Sequence, residues 1–152
     1  MLAVATGYGY QDLKAMPPTF QRTFSRNVSD YLVVAGEVER FCTENKLSRA
    51  MNFKVCLVLE ELVLNQIDHA VGSVDNLLHL QIEVVDGKVV VVLEDDGWPF
   101  DPRQAPTFDK NKPLEERGPR GMGIHLVRSM AEELSYERQG ERNRLRVVIA
   151  AC

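Results

Sequence analysis

Only three of the 152 residues are cysteine (Cys42, Cys56 and Cys152), and no two of them form a CxxC pair. An odd count without paired spacing supplies neither a disulfide framework nor a zinc site, and it points to reduced thiols in the cytoplasm. Long apolar runs are missing too. None approaches the ~18 residues of a membrane span, and the run from Val89 to Leu93 stops at Glu94-Asp95-Asp96. The N-terminus, Met1 to Tyr8, has no basic residue ahead of its apolar stretch and does not read as a signal peptide. Positive charge is in short supply, with 18 Lys and Arg against 22 Asp and Glu, a net charge of −4. That balance argues against a general nucleic-acid binder and against a polybasic membrane-surface protein. What remains, 45% hydrophobic and 26% charged residues, is an ordinary globular composition, neither disordered, collagen-like nor coiled coil. A chain of this length makes one domain and buries roughly two-thirds of its unfolded surface.

Residues 1–18, with Gly7, Gly9 and Pro17-Pro18, read as an irregular lead-in to a single domain over 19–152. Thr19 to Arg26 is a candidate strand. Ser29 is the expected N-cap of a helix to about Asn45, where Leu32, Ala35, Val38, Phe41 and Cys42 keep helical spacing. Ser48 opens a second helix running to His69 or Ala70. Leu78, Leu80, Ile82 and Val84 alternate as a strand, Asp86-Gly87 is a two-residue hairpin turn, and Lys88 to Glu94 returns. From Gly97 to Gly121 five prolines interrupt the chain, and a loop of that length in a compact domain is usually functional or disordered. A helix from Gly121 to Glu133 follows, with Ile124, Val127 and Ala131 on one side. Leu134–Arg138 and Asn143–Ala150 then form a strand pair around Gly140-Glu141. This order, β-α-α-β-β-loop-α-β-β, predicts a two-layer α/β sandwich: a mixed, mostly antiparallel sheet with helices on one face.

Three segments carry candidate chemistry. In the second helix Cys56, Leu59, Val63, Ile67 and Ala70 share the face expected to pack on the sheet. Glu61, Asn65 and Asp68 form a narrow stripe opposite, flanked by Leu57, Val58, Leu62 and Leu64. A polar stripe with apolar flanks fits the lining of a covered pocket, and equally a solvated strip beside a partner interface. Next, Asp95-Asp96-Gly97 ends an apolar strand. An Asp at such an end can accept from an amino group while the glycine lets a planar ligand approach, although most such triplets are plain turns. Last, Gly118-Pro119-Arg120-Gly121-Met122-Gly123 leads straight into a helix, offering backbone N–H groups and the positive dipole end to phosphate, or simply a hinge. It is neither a Walker A loop, lacking Lys-Ser/Thr, nor a dinucleotide GxGxxG.

In this order the three segments resemble the Bergerat-fold ATPases, which include gyrase-type topoisomerases and histidine-kinase catalytic domains. They are most similar to the anti-sigma-factor serine/threonine kinases of bacterial partner switching. The resemblance rests on Leu59 to His69, Asp95 to Pro102, Gly121 to Arg128 and Gly140 to Leu145, and it spans about residues 19–150. It implies ATP and Mg²⁺ as cofactors, Glu61 as catalytic base, and Asn65 as magnesium ligand through its amide oxygen. Asp95, with Gly97 beside it, accepts from the adenine amine. Gly121, Met122 and Gly123, preceded by Arg120, cradle phosphates, and Asp68 completes the nucleotide-facing stripe. Residues 98–120 form a lid, with Lys110, Lys112, Arg117 and Arg120 as cations near phosphate. The final strand has none of the Ser or Thr that larger members place near adenine. His69 and His125 read as structural, His79 is assigned no role, and Trp98 and Phe100 read as packing at the lid base.

The implied activity is phosphorylation of a serine or threonine on a small STAS-type antagonist, combined with regulation of a partner by sequestration. That partner is a sigma factor or another regulator; separately, a homodimer of the chain is among the expectations. The alternative is an ATP-gated binding module with little or no phosphotransfer; a base at Glu61 favours the enzyme. The catalytic half of a histidine kinase is not expected, because no two-helix phosphoacceptor segment precedes the domain.

Overall fold

The computed structural model describes residues 16–68, 72–104, 111 and 121–151. Its elements are β1 (Thr19–Ser25), α1 (Val28–Glu44), α2 (Arg49–Asp68), β2 (Leu77–Val85), β3 (Lys88–Asp95), a 3₁₀ turn (Pro102–Gln104), α3 (Gly121–Met130), β4 (Glu133–Gln139) and β5 (Arg142–Ala150).

Local chemistry accounts for most boundaries. Asn27, not Ser29, caps α1: its side chain accepts from the Asp30 amide at 2.8 Å, so the helix begins one residue before the expected cap. Asn27→Ala should therefore cost ~0.5–2 kcal/mol in urea unfolding, and Ser29→Ala should lie near wild type. Ser48 caps α2 as expected, accepting from the Met51 amide at 3.1 Å. Asp86 and Gly87 both take positive φ (51° and 75°), which gives the tight β2–β3 hairpin its handedness. α3 ends at Met130, three residues before the expected Glu133. The Glu132 amide bonds the Val148 carbonyl at 2.8 Å and Glu133 pairs with Val148, so the sheet edge takes these residues from the helix.

The strands form one sheet in the order β1-β2-β3-β5-β4, every neighbouring pair antiparallel. The expected mixed character is absent among the described strands. β3 and β4 run in the same direction, but β5 lies between them and pairs antiparallel with each. Register puts Phe20, Ile82, Val91, Val147 and Leu134 in one row across the sheet, and Leu80, Leu93, Leu145 and Tyr136 in the next. Among the described residues, helices α1, α2 and α3 cover this face. The other face is largely polar and carries ion pairs such as Glu94–Arg144 and Glu133–Arg146.

α2 lies at the centre of the helical layer, against α1, α3 and β5, and buries Met51, Val55, Val58, Leu59, Leu62 and Val63. Of the expected sheet-facing set, Leu59 and Val63 are in the core. Cys56 and Ile67 are only half-buried, because contact with two neighbouring helices turns Val55, Val58 and Leu62 inward instead. Ala70 and His69 lie outside the described residues. Burial pushes the Cys42 thiol up to about 12 and the Cys56 thiol upward as well, so both stay protonated and unreactive. No helix among the described residues is long and apolar enough to cross a membrane.

Candidate functional site

The sheet register builds the site at one end of the helix-covered face. Asp95, the last residue of β3, lies directly opposite Asn143 of β5, which in turn faces Arg138 of β4. Asp95 is 3% exposed, and its Oδ1 accepts from the Gly97 amide at 2.7 Å and from Asn143 Nδ2 at 3.0 Å. Tyr136 donates to Asn143 Oδ1 at 2.5 Å and Arg138 donates to the same oxygen at 3.1 Å. These two donors fix the amide so that its NH₂ end faces Asp95 and the carbonyls of Gly97 and Trp98. Arg138 also holds the Gly97 carbonyl at 2.6 Å. Gly97 is thus gripped at both its N–H and its C=O, and the turn after β3 is a fixed wall.

Arg26 enters from the other side. It follows β1, its side chain is 1% exposed, and Nη2 stands 3.8 Å from Asp95 Oδ1. None of its three guanidinium nitrogens has a hydrogen-bond partner among the described residues. Arg26, Asp95, Gly97 and Asn143 line a cavity of about 20 Å³ together with Asn65 of α2 and Trp98. That volume holds about one water, so a larger ligand enters only if part of the lining moves. Larger hollows exist elsewhere: about 430 Å³ between α1 and α2, and about 330 Å³ on the open sheet face. Neither touches Glu61, Asn65 or Asp95. The small cavity is the better candidate because buried opposite charges converge there and are costly to keep without a use.

Glu61 sits one turn before Asn65 on α2. It is half-buried, and burial, reinforced by Glu60, holds its carboxyl above the usual range. A Cβ added at Gly123 would meet Glu61 Oε2, the flexible end of that side chain, so the first turn of α3 lies close against this carboxylate. The structure brings together Asn65, Asp95 and Gly97 at the cavity, and Glu61 with Gly123 beside it. Asp68 is exposed at the end of α2, and Gly121 and Met122 begin α3. Arg120, Lys110, Lys112, Arg117 and most of the 98–120 segment lie outside the described residues. His79 is on the open face, bonded to Thr23 at 2.9 Å.

Sequence reasoning missed Arg26, Tyr136, Arg138 and Asn143. Parity supplies a signal for Arg26, since Phe20 and Phe24 point inward and residue 26 continues that alternation. It also missed Asp96. This carboxylate accepts from the Ser73 hydroxyl at 2.5 Å and from the Val74 and Asp75 amides at 3.0 and 3.1 Å, which holds it well below the usual carboxylate range. Asp96 therefore pins residues 73–75 to the end of β3, one residue past Asp95. Beside them Gly72, at φ 76°, lies so close to the Trp98 indole that a side chain there would be strained and would push the ring aside.

Residues 24–149 match the model of the histidine kinase-like ATPase domain, which covers every element just described except most of β1 and the last residue of β5. The chain belongs to that family. Among its relatives is the serine/threonine-protein kinase BtrW of Bordetella bronchiseptica, 27% identical over 109 residues, covering 71% of this chain and 77% of BtrW. The crystal structure of the RsbU and RsbW domains of Rv1364c from Mycobacterium tuberculosis superposes with a TM-score of 0.59 at 12% identity. It covers 88% of this chain, which spans about a third (32%) of that longer protein, and the likeness speaks to fold. As a histidine kinase-like ATPase domain, the chain has the antiparallel sheet, the helical layer and the β3-end carboxylate on the side of the sheet that the helices cover.

Proposed function

We propose that this protein is a Mg²⁺- and ATP-dependent protein serine/threonine kinase acting on a small STAS-type antagonist, in the manner of anti-sigma-factor kinases. By the same reading it sequesters a further regulator, a sigma factor being the first candidate, in the cytoplasm. The observation that carries the reading is Asp95, a carboxylate 3% exposed at a strand end, facing a cavity it shares with Asn65. The relationship to BtrW, a protein named as a serine/threonine kinase, supports the enzyme class.

The donor set suits an adenine nucleotide. Asp95 supplies a buried acceptor for the exocyclic amine, and its contacts with described residues fall on Oδ1, leaving Oδ2 outside those bonds. Asn65 offers a hard amide oxygen, and among the described residues no three His, Cys, Asp or Glu side chains form a metal cage. An amide oxygen suits magnesium, which takes hard oxygen ligands together with waters and substrate phosphates. When bound, the ion supplies charge neutralisation at the phosphates. Glu61, held above the ordinary carboxylate range, is suited to take the proton from an attacking hydroxyl. Gly121, Met122 and Gly123 open α3 where backbone N–H groups can receive phosphate, with Arg120 preceding them and Asp68 at the far end of the stripe.

Calorimetry with MgATP tests the reading, and no affinity at millimolar nucleotide would overturn it. Asn65→Ala should weaken ATP binding by about 1.5–3 kcal/mol in magnesium and scarcely at all in a chelator. Equal losses in both conditions would remove Asn65 from the metal site.

A further inference from the structure

Arg26 belongs to none of the motifs that carry the family resemblance, yet its side chain is the most deeply buried cation at the site, 1% exposed. Burying a guanidinium without hydrogen bonds is costly, and each of its three nitrogens lacks one among the described residues. Asp95 offers only a partial answer. At 3.8 Å the pair is an ion pair without a hydrogen bond, and Oδ1 of Asp95 is already taken by Gly97 and Asn143. Arg26 and Asp95 nonetheless line the same small cavity. Five N–H donors fixed in a plane therefore stand beside an acceptor, both desolvated, with the donors unspent.

We infer that Arg26 is a base-specificity residue that donates a hydrogen bond to the ring nitrogen flanking the adenine amine while Asp95 accepts from the amine itself. This rests on the nucleotide reading above. Adenine presents a donor at its amine with ring acceptors, N1 and N7, on either side, so an Asp–Arg pair is complementary to it on either edge. Guanine presents an acceptor at O6 where Asp95 needs a donor. On the N1 edge it also presents an N–H where Arg26 needs an acceptor, so both side chains then reject it; on the N7 edge Arg26 keeps an acceptor and Asp95 alone discriminates. Base entry would also give the guanidinium the partner it lacks within the described chain.

The experiment measures binding of MgATP, Mg-1-deaza-ATP, Mg-7-deaza-ATP and MgGTP to the full chain and to Arg26→Met. Wild type should bind one deaza analogue roughly 10- to 100-fold more weakly than ATP, the loss expected for a charged hydrogen bond. Which analogue suffers identifies the nitrogen. In Arg26→Met that preference should disappear, and where the affected analogue is the 1-deaza one, discrimination against GTP should shrink as well. If Arg26→Met does not fold, heteronuclear NMR of the wild type decides: the Arg26 Nε–H resonance should shift with ATP and not with the weakened analogue. Equal wild-type binding of ATP and both analogues, or a preference that survives in Arg26→Met, overturns the inference and leaves the kinase reading intact. No binding of any nucleotide overturns both.

Discussion

Asp95→Ala is expected to lower stability by ~3–5 kcal/mol, the cost of removing one partner of a buried ion pair. In a chain of this size that corresponds to a fall in Tm of roughly 6–20 °C. The substitution strips the counter-charge from Arg26, whose nitrogens already lack hydrogen bonds among the described residues, and takes the acceptor from the Gly97 amide. Asn143 suffers less, because its NH₂ group keeps the carbonyls of Gly97 and Trp98. The double variant Asp95→Ala/Arg26→Met should regain part of the loss, since it no longer buries an orphan charge. Denaturant unfolding of the two single variants and the double variant measures this coupling, and additive losses would mean that Arg26 and Asp95 do not sense each other.

Glu61→Gln should leave ATP affinity near wild type and reduce phosphoryl transfer about 10²-fold or more, because shape and hydrogen-bonding reach survive while the proton acceptor goes. Transfer by the wild type should rise with pH through an inflection above 4.5, the value from which burial raises this carboxyl. Stability moves the opposite way. A carboxyl whose folded pKa is raised favours the fold while protonated and loses that advantage as pH rises through the folded value. At neutral pH the ionised Glu61 is therefore a burden. Glu61→Gln should melt higher than wild type near pH 7, and the gap should close as the pH falls below 4.5. Thermal scans across that range, run beside a transfer assay, separate a base from a structural carboxylate. A variant that transfers phosphate at the wild-type rate places the base elsewhere.

What was legible in the sequence was what local chemistry decides. Asp86-Gly87 fixes its hairpin without help from the rest of the chain, and Ser48 caps α2 through a bond three residues long. The stripe of Glu61 and Asn65 needs only helical spacing, and Asp95 with Gly97 needs only a strand end. Asn143 could not be read this way. Its importance comes from lying opposite Asp95, a pairing between residues 48 apart that register alone creates. Tyr136 and Arg138 act through Asn143 and were hidden for the same reason. The end of α3 was misplaced because Glu132 and Glu133 are drawn into the sheet by Val148, a tertiary competition that helical periodicity does not register.

The chain contains a single tryptophan, and it is Trp98. Its indole lies against the bare backbone of Gly72, its carbonyl is bound by Asn143, and its side chain, 67% exposed, forms the rim of the cavity that holds Asp95. The protein consequently carries a built-in fluorophore at the wall of this cavity. Its emission reads that wall without a label and without background from a second indole, so displacement of the ring from Gly72 can be followed optically in real time.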